Sequence, residues 1–202
     1  MLRFIPWIFI ALILASGLLP EAICEQLDFN PERIKQGEYW RLLTGQWVHF
    51  GFNHSLMNAA GLAIVQYSFL DELPLRGWLW VQGAVLSAVA FGLLVFNPEI
   101  GVYRGYSGAF IGVLCFSLLH FWQRAPWVAL IFFGGLSIKI LLEHLPNYDI
   151  HYLQSLIGVA VAVDAHLYGY IMGILAQSIY WVWQLLHRKS VAADARENQG
   201  EA

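Results

Sequence analysis

Charge is scarce in this chain. Only 12% of its 202 residues are Asp, Glu, Lys or Arg, against about a quarter in soluble domains, and 58% are hydrophobic. With a mean hydropathy of +0.57, that balance excludes an ordinary water-soluble domain. Two cysteines, Cys24 and Cys115, are too few and too badly placed for a disulfide framework, and both read as small apolar fillers. The net charge is −3 and no basic cluster occurs, so no nucleic-acid partner is expected. There is no HExxH pattern, and the apolar runs lack the carboxylates a zinc protease would need there, so neither metal nor cofactor is expected. Period-2 alternation is missing as well, which argues against a membrane barrel. No internal repeat and no soluble domain stand out.

What is present is a series of apolar runs, at about Phe4–Leu19, Phe52–Phe69, Trp78–Phe96, Ser107–Trp122, Trp127–Leu142 and Val159–Leu186. Most approach the roughly 20 residues that cross a hydrocarbon core, and the fourth and fifth are short. The expected architecture is an all-α polytopic membrane protein, a bundle of six transmembrane helices in one domain over residues 1–187. One long connection covers about 20–51, where Glu38–Leu43 sets an aromatic beside a cation as an interfacial segment would. Residues 188–202 form a polar tail, expected to be disordered from Val191 onward. Arg3 before an apolar core that ends at Ala15-Ser16-Gly17 has the pattern of a secretory signal. Retention is expected, since cleavage would leave five spans.

Lys and Arg set the orientation. With the N-terminus in the cytoplasm, Arg3, Arg76, Arg124, Arg188, Lys189 and Arg196 fall inside. Arg33, Lys35, Arg41 and Arg104 fall outside among five carboxylates, a modest positive-inside bias. Trp7, Trp78, Trp80, Trp122, Trp127, Trp181 and Trp183 lie near the inner ends, as interfacial anchors do. Both termini are expected in the cytoplasm.

Under that topology runs two, four and six all travel from outside to inside, so their first residues share the outer leaflet. His54 and Asn58 begin run two, Ser107 begins run four, and His166 lies early in run six. Polar groups at bilayer depth are costly, about 2.5–3.5 kcal/mol for a mid-span charge, so each asks for a reason. Gly105-Tyr106-Ser107-Gly108 frames a candidate nucleophile at a helix start, and the same tetrapeptide also fits a tight turn and N-cap. His54 and Asn58, four apart, present two N–H donors on one helix face, which fits an oxyanion site or simple interhelical glue. Gly108 and Gly112 follow Ser107, and Gly169 and Gly173 follow His166. Such ladders permit close backbone approach, which a serine on one helix needs to reach an imidazole on another. Ordinary close packing explains the glycines equally well. Asp164 points away from His166 on a helix and is left out of any triad. The imidazole is then oriented by packing, on an aromatic such as Tyr168 or Tyr106. Lys139 and Glu143 read as a structural or snorkelling i,i+4 pair. His120, His144, His151 and His187 receive no role.

Three segments together resemble the rhomboid intramembrane serine proteases: His49-Phe50-Gly51-Phe52-Asn53-His54-Ser55-Leu56-Met57-Asn58, Gly105-Tyr106-Ser107-Gly108, and Ala165-His166-Leu167-Tyr168-Gly169-Tyr170-Ile171-Met172-Gly173. Trp40-Arg41 resembles the family's first outer loop. The resemblance implies Ser107 as nucleophile and His166 as base of a catalytic dyad. It implies an oxyanion hole from His54, Asn58 and the Ser107 backbone N–H, with Gly105, Gly108, Gly112, Gly169 and Gly173 in close packing. Tyr103–Gly108 and Asp164–Leu167 look most like the rhombosortase branch. Those bacterial enzymes are thought to process exported proteins that end in a Gly-Gly motif, an apolar helix and a basic tail. The implied partners are a substrate's transmembrane segment, the lipid bilayer and, if the acyl group is transferred rather than hydrolysed, an amine acceptor. The implied location is the bacterial inner membrane, with the active site toward the periplasm and substrate entering sideways between helices two and five. The alternatives are a general rhomboid with other single-pass substrates, a catalytically dead relative, and a transporter using His49, His54 and His166. The transporter would need a polar path inward, where only the isolated Gln66, Ser117 and Gln177 occur.

Overall fold

The computed structural model describes residues 4–71, 73–146, 154, 158 and 160–200, with side chains as far as His187. Among them the regular structure is α-helix: α1 (Ile5–Ser16), α2 (Glu21–Leu27), α3 (Pro31–Lys35), α4 (Arg41–Thr44), α5 (Phe52–Phe69), α6 (Leu75–Phe96), α7 (Ser107–Phe121), α8 (Pro126–Glu143) and α9 (Val163–Gly200). Proline punctuates the starts. Pro6, Pro31 and Pro126 occupy first turns, where the missing N–H is no loss, and Pro20 and Pro74 cap α2 and α6.

Each expected apolar run carries one of the longer helices. Two of them, Leu75–Phe96 and Pro126–Glu143, are long and apolar enough to cross a membrane, with hydropathies of 2.1 and 1.6. Ile5–Ser16 and Ser107–Phe121 are apolar but shorter. Ile8, Leu12, Ile64, Phe91, Val95, Ile131, Phe132 and Leu141 are all exposed, an apolar exterior that water would not tolerate and lipid would.

Helix α7 is the centre. Ala109, Ile111, Val113, Cys115, Phe116 and Leu118 are all buried, with α5, α6, α8 and α9 packed around it. Where lipid replaces water, hydrophobic burial no longer drives helices together, and close van der Waals contact must do so. The glycines supply that contact. A Cβ on Gly108 would stand 2.8 Å from the Ala165 carbonyl oxygen, and one on Gly112 2.6 Å from that of Gly169. Reciprocally, a Cβ on Gly169 would overlap the Gly108 carbonyl oxygen, and one on Gly173 that of Gly112. The two ladders interlock, so α7 and α9 touch backbone to backbone.

Two expectations change. Helix α9 continues through Val191–Gly200, where a disordered tail was expected; Ala192, Ala193, Ala195, Arg196, Glu197 and Gln199 are strong helix formers extending a helix already nucleated. Arg41 is not an interfacial cation. Its side chain is 1% exposed and turned inward, because Asp28 and Glu38 both reach it, while Tyr39 and Trp40 face outward. His151 and most of the 146–155 connection lie outside the described residues.

Candidate active site

The 20–51 segment and the 97–106 loop are stitched together just before Ser107. Phe29 and Tyr103 exchange backbone hydrogen bonds of 3.0 and 2.9 Å, and the Gly105 N–H donates to the Gly45 carbonyl at 3.1 Å. Beneath this stitch is an ion cluster. Arg41 donates to Asp28 at 2.8 Å and to Glu38 at 2.5 Å, and Arg104 pairs with Asp28 at 3.1 Å and Glu21 at 2.8 Å. Asp28, Arg41 and Arg104 are buried, so each carboxylate and guanidinium compensates the other's lost hydration. The Arg104 hydrogen bond holds the Glu21 carboxyl below its ordinary range.

Gly105 then turns the chain with φ +122°, a region that favours glycine, and a Cβ there would meet the His54 ring at 2.6 Å. Tyr106 is fully buried; its hydroxyl donates to Gln82 and its N–H donates to His49 Nε2 at 3.3 Å. His49 Nδ1 lies 2.8 Å from Ser16 Oγ, whose own proton goes to the Ile13 carbonyl at 2.7 Å. The Ser16 oxygen therefore accepts, and His49 is the neutral Nδ1–H tautomer. Ser107 follows as the first residue of α7, with its N–H among those that have no partner within the helix.

His49 fixes the backbone beside Ser107 only while neutral, because a proton on Nε2 would face the Tyr106 N–H. Burial, with a smaller contribution from nearby His54, pushes its pKa down to about 3. In the unfolded chain the same imidazole protonates near pH 6.5. Below that pH the unfolded state binds a proton the folded state refuses, so stability is lost as pH falls from about 6.5 toward 3. This loss reaches up to about 1.4 kcal/mol per pH unit. Thermal melts in detergent between pH 7.5 and 5 should fall more steeply for the wild type than for His49→Gln. Equal slopes would rule this out.

Ser107, His54, Asn58 and His166 come from three helices and line one cavity of about 170 Å³, together with Met57, Phe110, Ile111, Lys139 and Val161. A second cavity of about 420 Å³, walled by Phe50, Asn97, Glu99, Tyr103, Arg104 and Asp164, shares His54, Ser107 and Val161 with the first. Both His54 Nδ1 and Asn58 Nδ2 are buried without a hydrogen-bond partner among the described residues. A buried polar nitrogen without a partner asks for an explanation, and a role in binding or catalysis is one that fits two such atoms lining the same cavity as Ser107. Tyr103, which sequence reasoning passed over, sets its hydroxyl beside the Ser107 side chain and the Gly108 backbone; burial pushes its pKa up to about 12.

The residues around His166 differ from expectation. Neither Tyr168 nor Tyr106 supplies a partner for its ring nitrogen: the Tyr168 hydroxyl donates to Asn97 at 2.6 Å, and that of Tyr106 to Gln82. Instead His166 Nδ1 lies 3.0 Å from Glu143 Oε2, and Glu143 Oε1 takes Lys139 Nζ at 2.6 Å. Glu143 is thus no snorkelling residue; its side chain is 1% exposed. The i,i+4 spacing from Lys139 was visible in the sequence, but the crossing of α8 over α9 that delivers the carboxylate was not. Asp164 stays apart, bonded to Asn97 at 2.8 Å and 3.4 Å from His144. Among the described residues no cluster of His, Cys, Asp and Glu could hold a metal ion.

Residues 36–183 match the Rhomboid domain family model, which covers most of the chain. The chain belongs to the rhomboid family. Members of that family are intramembrane serine proteases that act on transmembrane substrates within the bilayer, so this rhomboid is a membrane protein of that protease class. No curated protein matches the chain.

Proposed function

We propose that this rhomboid is a six-span endopeptidase that cuts the membrane anchors of exported proteins through a Ser107–His166 dyad. One observation carries the reading: Ser107, His166, His54 and Asn58 line a single cavity in which two buried side-chain nitrogens have no partner among the described residues. In the acylation step the Ser107 Oγ–H proton passes to His166 Nε2 as Oγ bonds the scissile carbonyl carbon and its oxygen becomes anionic. His54, Asn58 and the Ser107 N–H hold that oxyanion; one such donor contributes about 2.7–4 kcal/mol to lowering the barrier. Collapse expels the amine, which takes the proton from His166. Water, or an acceptor amine, then releases the acyl group by the reverse sequence.

The preferred substrates are rhombosortase-like: a Gly-Gly motif, an apolar helix and a basic end, cut at the periplasmic side of a bacterial inner membrane. Tyr103–Gly108 and Asp164–Leu167 support this branch, and glycines beside the scissile bond suit a cavity this small.

A fluorophosphonate probe should label the wild-type protein in detergent and leave Ser107→Ala unlabelled. Equal labelling of both would overturn the dyad. For the substrate class, mass spectrometry of secreted proteins should find intact Gly-Gly tails accumulating in cells that lack this rhomboid. Unchanged tails with other single-pass proteins stabilised would favour a general rhomboid instead.

A further inference from the structure

We infer that Glu143 is the positioning residue of the His166 base, making the site a Ser–His–Glu arrangement assembled from α7, α9 and α8. This rests on the dyad reading above. The carboxylate closes α8, is almost fully buried, and has both oxygens engaged, Oε2 by His166 Nδ1 at 3.0 Å and Oε1 by Lys139 Nζ at 2.6 Å. A carboxylate in such surroundings is costly unless it is paired, and here one anion is shared between an ammonium and an imidazole.

The chemistry follows from what an ionised carboxylate can do. It only accepts, so it stabilises the neutral imidazole that carries its proton on Nδ1. That tautomer leaves the lone pair on Nε2, the nitrogen across the ring, available to the Ser107 hydroxyl in the cavity both residues line. When the Ser107 proton moves to Nε2, Glu143 faces the imidazolium and stabilises it; the Nδ1 proton stays where it is. Lys139 bounds the effect from the other side, holding the carboxylate while opposing the cation that forms. The other ionisable groups near the ring among the described residues are His54 on α5 and His144 after α8, with Asp164 two residues back on α9 and so on the opposite side of that helix. His54, which lines the same cavity, adds no anion, and Asp164 is turned to Asn97 and His144.

The test uses the full-length protein in detergent with a peptide carrying a Gly-Gly motif and an apolar helix. Glu143→Gln keeps the size but offers an amide that can donate to Nδ1 and select the wrong tautomer. It should lower kcat about 10²- to 10⁴-fold with KM unchanged. The acidic limb of its kcat/KM profile should move to lower pH, because the protonated base loses its counter-charge. Lys139→Gln should move that limb to higher pH, since the cation that opposes imidazolium is gone. A purely structural carboxylate would move neither limb. Wild-type kcat in Glu143→Gln, or an unmoved limb in Lys139→Gln, would overturn the inference. The Lys139→Gln profile decides alone should Glu143→Gln fail to fold. Ser107→Ala separates the two readings: if it is inactive while Glu143→Gln is not, only the positioning role falls, whereas an active Ser107→Ala removes the dyad itself.

Discussion

Replacing Ser107 with Ala, or His166 with Ala, is expected to cut peptide turnover by about 10⁴- to 10⁶-fold, and the double replacement to cut it no further. In the dyad proposed above the two side chains act as one device. A serine hydroxyl at neutral pH is a weak nucleophile until an adjacent base takes its proton, and the base has nothing to activate once the hydroxyl is gone. The activity left in each variant should be the same, because it comes from oxyanion stabilisation and substrate binding, which both variants keep. Single-turnover measurements on the three variants check this. Multiplying losses, with the double variant slower than either single by another large factor, would mean that Ser107 and His166 work independently. The pairing would then be wrong.

The largest expected effect on stability belongs to a single methyl group. Gly169→Ala adds only a Cβ, but that atom has to occupy space held by the Gly108 carbonyl oxygen. Backbone cannot rotate away as a flexible side chain can, so α7 and α9 must separate and lose the contacts that hold them in an apolar solvent. A destabilisation of about 3 kcal/mol or more is expected, at the upper end of overpacking. Gly134→Ala on α8 is the control, since a Cβ there meets open space and gains up to about 1 kcal/mol of helix propensity. Thermal unfolding in detergent should show a large drop for the first and little change for the second. If Gly169→Ala melts with the wild type, the interlocked glycines do not hold these helices.

Much of this molecule could be read from its residue order, for identifiable reasons. Apolar runs bounded by Pro, Gly and Asn located the longer helices, because helix periodicity and proline's missing N–H are local properties. Ser107, His54, Asn58 and His166 each stand near the start of an apolar run, and the structure brings all four to one cavity. What stayed hidden depends on crossings between helices. Glu143 and Lys139 look like any i,i+4 ion pair until α8 is laid against α9. Arg41 looks interfacial until Asp28, distant in sequence, is folded beneath it. Tyr103 is one aromatic among many until its backbone pairs with Phe29. In each case the missing information was how two segments meet, which spacing within one segment does not encode.

The interlocked glycines also constrain motion. Two helices whose main chains touch cannot slide or part by small steps, so Ser107 and His166 ride on a single stiff strut. Room for an incoming peptide has to be made by the surroundings. Helix α8 is joined differently: a Cβ at its Gly134 or Gly135 would meet open space, and its outer face bears Trp127, Ile131, Phe132 and Leu141, so its glycines interlock with no neighbour among the described residues.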